Sequence, residues 1–387
     1  MSKKGFIREQ TLKPGVPEDA LVVDDPAEIP RPTPQRPPMW VWIGLFVVAA
    51  GALMWMLYKS GARQLTTGSF FIFPIMMVSM VMMMRGRMGG SDKKSYGSAK
   101  NQERADYLRG LDDLRVKVHA AGRAQAAEIA HHHPSPCDGS LATLVGTPRM
   151  WERDPAMQGN FGHVRMGVGV TQLRTKLTPP TKVPEEQFRE TVTTVAARDF
   201  LKAQNVVHDV PRPLHLFDQM GWSFFAEPAQ RTIIQGLLRS LVCQLCVFHG
   251  PDDVQLAIVS DDVRAWEWAK WLPHTADDEF VDACGPVRLI FPDVKAFIDR
   301  FGPDVRARSP FAPLMEGSDK PTRWLVVVVD LPGADCSPIL GDAGRLGVSV
   351  LEASGNEHSV LANADSAFFL DDIGNLLKAS EQTMEIY

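Results

Sequence analysis

Residues 324–329 read WLVVVV and are followed by Asp330, and this stretch decides the fold of the second half of the chain. A continuous apolar run rich in β-branched residues is typical of a strand buried on both faces of a parallel sheet. A helix with an apolar stripe is predicted at residues 228–248. The other predicted strands are WSFF (222–225), VQLAIV (254–259), VRLIF (287–291) and GVSVL (347–351). This alternation predicts a mostly parallel sheet in a three-layer α/β domain.

The first strand–helix junction is where such folds bind phosphate. A working P-loop reads GxxxxGK[ST] there, whereas this chain reads FAEPAQRT at residues 225–232. Arg231 and Thr232 take the places of Lys and Ser/Thr, but Phe225 and Gln230 replace the two glycines. Without those glycines the backbone N–H groups do not readily surround a phosphate. The sequence therefore predicts a P-loop NTPase-like site that is degenerate.

Asp330 is the second half of that predicted site. An aspartate at the end of a buried strand can hold a Mg²⁺-bound water in motor ATPases. Those enzymes usually follow it with a Glu that activates the attacking water, and here Leu331 follows. We therefore predict no catalytic residue, and a degenerate nucleotide-binding site made of Arg231, Thr232 and Asp330.

The α/β domain is predicted to span residues 134–387 and to begin with a small β-rich lead-in. Short strands are predicted between 139 and 169, in LATLVG and HVRMGVGV, and a helix is predicted at 184–204.

A helical stalk is predicted before this domain, at residues 85–133. From about 98 to 130 the sequence is rich in Ala, Leu and charged residues and has few helix breakers. One face carries an apolar stripe at steps of three and four, made of Tyr107, Leu111, Leu114 and Val118. Another copy of the chain, a partner, or the domain folding back would each cover this stripe.

Two uncharged runs precede the stalk and predict a transmembrane hairpin at residues 39–84. Residues 39–58 read MWVWIGLFVVAAGALMWMLY and residues 66–84 read TTGSFFIFPIMMVSMVMMM. About 20 apolar residues in a helix cross the hydrocarbon core of a bilayer. The basic residues on the outer flanks place both termini in the cytoplasm by the positive-inside rule.

The N-terminal tail, residues 1–38, is rich in Pro and in mixed charge. Pro30, Pro32, Pro34, Pro37 and Pro38 favour an extended approach to the membrane. The tail is either a flexible segment or a docking peptide.

The net charge of the whole chain is −5, which argues against general nucleic-acid binding.

Two groups of potential metal ligands have simpler interpretations, and we predict no metal site. His131, His132 and His133 precede Pro134 and Cys137, and histidines also suit the negative end of a helix. Cys243 and Cys246 form a CxxC within an apolar helical segment and lack a second pair, so they are predicted to be buried core cysteines. The five cysteines do not form a secreted disulfide pattern.

The chain resembles the N-terminal part of EccC, the membrane-bound FtsK/SpoIIIE-type ATPase of type VII (ESX) secretion systems. The order of tail, two spans, stalk and degenerate ATPase-like domain is similar. The most specific local matches are WER (151–153) leading into VRMGVG (164–169), and WEWAKWLPH (266–274).

The resemblance implies a motor component anchored in the cell inner membrane, with EccB, EccD and EccE as partners and a higher oligomer of the complex. It implies contact between the stalk stripe and cytoplasmic parts of EccD and EccE. It implies ATP, Mg²⁺ and secreted WxG-type substrates for further ATPase domains of a longer protein, and assigns no cofactor to this chain. The alternative functions are the front end of an FtsK-class DNA translocase and a stand-alone membrane ATPase.

Overall fold

The structure is a computed structural model that describes most of the chain. The described residues are 14–15, 20–29, 91–156, 159–182, 184–312, 321–379 and 384–386, with isolated positions between 41 and 83. The predicted spans 39–58 and 66–84 therefore lie largely outside the described residues. In the described part, one helical stretch, Pro228–Phe248, has the length and hydropathy needed to cross a membrane. Its apolar side chains pack in a hydrophobic core with strands of a sheet.

The chain divides into two compact units. The first contains residues 1–18, 120–175 and 206–387, and the second contains 19–119 and 176–205. The long helix α1, Ser91–His132, contributes its residues up to 119 to the second unit and the remainder to the first.

An eight-stranded sheet forms the centre of the first unit. Its strands are β5 (Gly221–Phe225), β6 (Val254–Ser260), β9 (Ile290–Phe291), β10 (Trp324–Asp330), β11 (Val348–Glu352), β12 (Ala367–Leu370), β13 (Leu376–Ala379) and β14 (Met384–Ile386). Their order is β14-β13-β12-β5-β11-β10-β6-β9. Pairs from β12 to β9 are parallel, and β12–β13 and β13–β14 are antiparallel. The predicted parallel α/β sheet is confirmed, with an antiparallel extension at one edge.

Each face of this sheet buries one hydrophobic cluster. On one face, helix α3 (Arg231–Phe248) packs Leu238 and Leu241 against Val326 and Val328. On the other face, α4 (Val294–Ala307) and the short α5 (Ser337–Leu340) pack against Val327. Because successive side chains of β10 alternate between the two faces, a fully apolar strand is required at this position.

The lead-in of the first unit differs from its prediction. HVRMGVGV forms a strand, β2 (His163–Gln172), which pairs with β4 (Val206–His215) in an antiparallel sheet. LATLVG does not form a strand, because a 3-10 helix at Ala142–Leu144 lies between Gly139 and Gly146, both with positive φ. The predicted strand 287–291 is divided between β8 (Gly285–Arg288), which pairs with β7 (Ala276–Asp282), and β9.

The second unit joins three distant parts of the sequence. Strand β1 (Leu21–Val22) pairs in parallel with β3 (Leu177–Thr178). A 3-10 turn at Glu186–Phe188 leads into α2 (Thr191–Gln204). The helix predicted at 184–204 therefore begins later, because the Glu190 carboxylate accepts a hydrogen bond from Thr193 N and caps the helix. Nε2 of His119, in α1, lies 2.9 Å from Gln204 Oε1 of α2.

Candidate functional site

The candidate site is centred on Asp330, the last residue of β10. Strand alternation places this side chain on the α3 face of the sheet, at its carboxyl edge. Its carboxylate accepts hydrogen bonds of 3.0 Å from Arg231 Nη2, Gln235 Nε2 and Trp266 Nε1. Asp330 is fully buried, whereas 34% of the Arg231 side chain is exposed. The structure thus brings the predicted residues Arg231 and Asp330 into one ion pair.

Local structure explains why these three donors converge. Arg231 is the first residue of α3, and Gln235 lies one turn later on the same helix face. Trp266 comes from a 3-10 helix, Val263–Trp271, that follows β6. Its indole is fully buried, and the Arg239 guanidinium carbon lies 5.9 Å from the indole ring centroid. Sequence reasoning missed Gln235 and Trp266 because it could not show that they approach Asp330.

The three donors contact both oxygens of the Asp330 carboxylate. A carboxylate can accept a hydrogen bond from a metal-bound water only while its oxygens are not occupied by other donors. Here one cation and two neutral donors occupy both oxygens. The Arg231 guanidinium is directed to Asp330, and Thr232 beside it is exposed.

The loop in the P-loop position is a tight turn. It contains a 3-10 helix, Pro228–Gln230, in which Pro228 has no backbone N–H to offer. Gln230 N donates to Glu227 O at 2.8 Å, and its side-chain Nε2 donates to Asp371 O at 2.9 Å. The loop is thus held by hydrogen bonds within its turn and to the residue that follows β12.

A second buried acid, Glu352, ends β11 on the opposite face of the sheet. Its carboxylate accepts hydrogen bonds from the hydroxyls of Ser354 and Ser359, the latter at 2.6 Å. Burial raises the pKa of Glu352. Sequence reasoning missed this residue, although it directly follows a predicted strand in the same way as Asp330.

A buried arginine and several histidines form a separate polar cluster in the first unit. The Arg153 guanidinium carbon lies 3.9 Å from the Phe248 ring centroid, and the guanidinium donates to the carbonyls of His132 and His163. Burial, with the neighbouring Arg153 charge next, lowers the pKa of His133 to about 2. Among the described residues, no three His, Cys, Asp or Glu side chains form a group able to hold a metal ion. Burial also raises the pKa of both Cys243 and Cys246 in α3.

The two motifs behind the family resemblance both have structural roles. In WER, Trp151 N donates to Val247 O at 2.8 Å, and Arg153 N donates to Phe248 O at 3.0 Å. Trp151 Nε1 adds a bond of 3.0 Å to Cys246 O. WER thus satisfies carbonyls that the end of α3 leaves without helical partners. In WEWAKWLPH, Trp266 closes the Asp330 site.

Comparison with known proteins relates these features to a family. No family model matches the chain. The chain is 33% identical over 362 residues to the ESX-5 secretion system protein EccC5 of Mycobacterium tuberculosis, covering 92% of this chain and 25% of that protein. It is 33% identical to EccC5 of Mycobacterium marinum, with 92% and 26% coverage. It is 28% identical to EccC of Thermomonospora curvata, with 90% and 26% coverage.

The chain is an EccC homologue. It spans about a quarter of the length of these EccC relatives. The solved cytoplasmic domain of the Thermomonospora curvata EccC is also similar, with a TM-score of 0.32 and 14% identity. That match covers 66% of this chain and 31% of the solved one.

The four residues of the stripe that the EccC resemblance assigns to partner contact all lie in the second unit. Leu111 and Val118 are buried in this chain, and Tyr107 and Leu114 are partly exposed. The Tyr107 hydroxyl donates to Asp24 O at 3.1 Å. Burial, followed by the charges of Asp24 and Asp25, raises the pKa of Tyr107 to about 12. The partner contact stays a prediction, and the chain's own residues already cover two of its four side chains.

Proposed function

We propose that this chain is the membrane-anchored front part of a type VII secretion ATPase, and that its α/β domain couples the motor to other membrane subunits without hydrolysing ATP. The similarity to EccC proteins over about nine-tenths of the chain carries the secretion assignment. The relatives named above are secretion proteins, and no observation favours the alternative of a DNA translocase.

The closed Asp330 site supports a coupling role rather than a catalytic one. A hydrolytic site needs an acid that can bind the metal and a base that activates water. Here the buried acid is paired with Arg231, and Leu331 occupies the position where the base is expected. ATP and Mg²⁺ would act in domains of a longer protein.

The second unit supports the proposed membrane anchoring. Its strand β1 precedes the first predicted span, whereas β3 and α2 follow the second. One folded unit lies on one side of a membrane. The chain must therefore cross the membrane an even number of times between residue 29 and Ser91. This requirement agrees with a two-span hairpin that has both flanks in the cytoplasm.

The proposed partners are tested by purification from the native host. The chain would carry a tag and be extracted in mild detergent, and the co-purifying proteins would be identified by mass spectrometry. We expect EccB-, EccD- and EccE-type membrane proteins in one large complex. Recovery of the chain alone, or with DNA, would overturn the secretion proposal.

The absence of turnover is tested on the full chain in detergent. We expect no ATP hydrolysis above background, and no Mg²⁺-dependent ATP binding by calorimetry. ATP turnover that disappears in Asp330→Ala but persists in the matched surface variant Asp372→Ala would contradict the proposal.

A further inference from the structure

One short segment of the first unit, residues 149–153, binds the carboxyl-terminal ends of two helices. We call this segment the clamp. Its backbone N–H groups and the Trp151 indole donate to the carbonyls of residues 246–248, the last three of α3. The carbonyl before them, Leu245 O, accepts from His249 N at 2.9 Å. The end of α3 is therefore fully hydrogen-bonded, and the clamp supplies most of the donors.

The end of α1 meets the same segment. Three successive carbonyls there each accept a hydrogen bond from a different arginine. The pairs are Arg149 Nη2 with His131 O at 2.6 Å, Arg153 Nη2 with His132 O, and Arg165 Nη1 with His133 O at 3.4 Å. The last carbonyls of a helix carry partial negative charge, so three guanidinium groups suit this position.

Two of these arginines connect the helices directly. Arg153 donates to Phe248 O of α3 through its backbone and to His132 O of α1 through its side chain. Arg165 N donates to Gln244 Oε1 of α3 at 2.7 Å, and Gln244 Nε2 donates back to Arg165 O at 2.9 Å. The Arg165 side chain meanwhile reaches the end of α1. Each arginine thus holds α3 with its backbone and α1 with its guanidinium.

The clamp contains two energetically unfavourable features. Trp151 has a φ of 61°, in the left-handed region that a bulky residue rarely adopts. Arg153 is only 5% exposed, and burying a guanidinium is unfavourable unless hydrogen bonds compensate for the lost water. Residues in rare backbone conformations persist only where their surroundings hold them, and they concentrate at functional sites. A simple connection between α1 and β2 needs neither feature.

The opposite end of α3 carries the Asp330 site. Arg231, the first residue of the helix, pairs with Asp330 at 3.0 Å. The 18 residues of α3 span about 27 Å at the rise of an α-helix. Leu238 and Leu241, in its interior, are fully buried in the core. Because packed cores have low compressibility, a displacement at one end of α3 reaches the other end.

From these contacts we infer that the clamp is a mechanical joint, which transmits a displacement of α3 at the Asp330 site to the carboxyl-terminal end of α1. α3 is the rigid element between the site and the joint, and the arginine side chains form the connection to α1. What the motion achieves at the membrane rests on the proposed function, whereas the link between the Asp330 site and α1 does not.

Hydrogen exchange of the full chain in detergent, read by mass spectrometry, measures this link. Arg231→Ala frees the first turn of α3, and exchange in the last turn of α1, residues 129–133, should accelerate about threefold or more. With Arg153→Gln in the same chain, Arg231→Ala should cause no further acceleration there, because the connection is already absent. Arg149→Gln, which removes the contact to His131 O alone, should weaken the link in part and serves if Arg153→Gln does not fold.

Three controls separate this link from a general loss of stability. Exchange in α4 reports on the whole unit, and Arg231→Ala should change it equally with and without Arg153. Arg264→Ala, at an exposed position beside Trp266, should leave the end of α1 unchanged. Arg123→Gln, exposed on α1, should not replace Arg153→Gln in the cycle. Equal acceleration of the α1 end in both backgrounds, or none in either, would overturn the joint.

The effect on secretion is tested in the native host with Arg153→Lys. Lysine keeps the charge but lacks the planar group that donates to the carbonyls of both His132 and His163. We expect the membrane subunits to co-purify as before and export to fall about fivefold, whereas Arg123→Lys should leave export unchanged. Normal export, or loss of the complex, in Arg153→Lys would overturn the joint. A chain without these substitutions that neither supports export nor binds membrane subunits would count against the proposed function alone.

Discussion

Arg231 and Asp330 form an ion pair with a nitrogen–oxygen distance of 3.0 Å, which joins the first residue of α3 to the last residue of β10. The two residues are 99 positions apart, and both belong to the nucleotide-binding site that the sequence predicted. The pair fills the site with a contact between the protein's own residues.

Removing the cation from this pair should destabilise the first unit. Arg231→Ala leaves a buried carboxylate with only two neutral donors, and we expect a loss of about 1–3 kcal/mol in the free energy of unfolding. This estimate is reduced because a third of the Arg231 side chain is exposed. Chemical unfolding of the full chain, followed by tryptophan fluorescence, provides the measurement. The exposed neighbour Thr232→Ala is the control, and a loss as large there would contradict the explanation.

Gly221 and Gly236 should respond to alanine with opposite signs. A Cβ at Gly221 in β5 would lie 2.6 Å from Val350 O, a backbone atom that cannot easily move. We expect Gly221→Ala to cost about 1–3 kcal/mol. A Cβ at Gly236 in α3 meets nothing within 4 Å, so Gly236→Ala should stabilise the helix by up to about 1 kcal/mol. Thermal unfolding of both variants tests this contrast, and a shift of the same sign would refute it.

Acid should destabilise the protein through two histidines, the buried His274 and the partly buried His163. Burial is the main cause that lowers the pKa of both His163 and His274 to about 4, from an ordinary value near 6.5. Between these values the unfolded chain binds more protons than the folded chain, so stability falls as the pH drops from about 6.5 to 4. His163→Gln should make this decline shallower, whereas His208→Gln, at an exposed position, should not. Unfolding measured across this range would show identical slopes if the assignment were wrong.

Glu190 caps α2 and pairs with Arg104 of α1, so the stability of this unit should depend on Arg104. The Arg104 guanidinium donates to Glu190 Oε1 at 2.6 and 3.0 Å. Burial opposes ionisation of Glu190, but hydrogen bonds from Thr193 and Arg104 prevail and lower its pKa. The contribution of the ionised Glu190 to stability is therefore present above its unfolded-state pKa, and it is lost as the pH falls through its folded-state pKa.

Arg104→Ala should cost about 2 kcal/mol at neutral pH, because it leaves the buried carboxylate without its charged donor. The cost should shrink in acid, where Glu190 is protonated in either variant. Arg115→Ala, which breaks an exposed pair on the same helix, is the control. Protection of the α2 amides from hydrogen exchange reports on this unit, and equal effects of both variants would argue against the linkage.

The sequence predicted those elements whose own residues show a clear hydrophobic pattern. β10 was predicted because its six apolar residues satisfy two buried faces at once, and Asp330 was placed correctly as the residue that ends it. The donors Gln235 and Trp266 were not predicted, because their approach to Asp330 depends on how α3 and the 3-10 helix pack. β1 was also missed, since two residues have no periodicity and the strand is defined only by a partner 156 positions later. Both predicted spans stay predictions.

The long separation within the β1–β3 pair has a consequence for synthesis. Leu21 leaves the ribosome well before Leu177, which is 156 positions later in the chain. At ordinary translation rates this takes roughly 8–30 s. During that interval the stretches predicted to enter the membrane are already available to the insertion machinery, whereas the N-terminal strand still lacks its partner. Membrane insertion would thus precede completion of the second unit. The N-terminal tail would have to stay on the same side of the membrane as the ribosome until β3, the partner of β1, has been made.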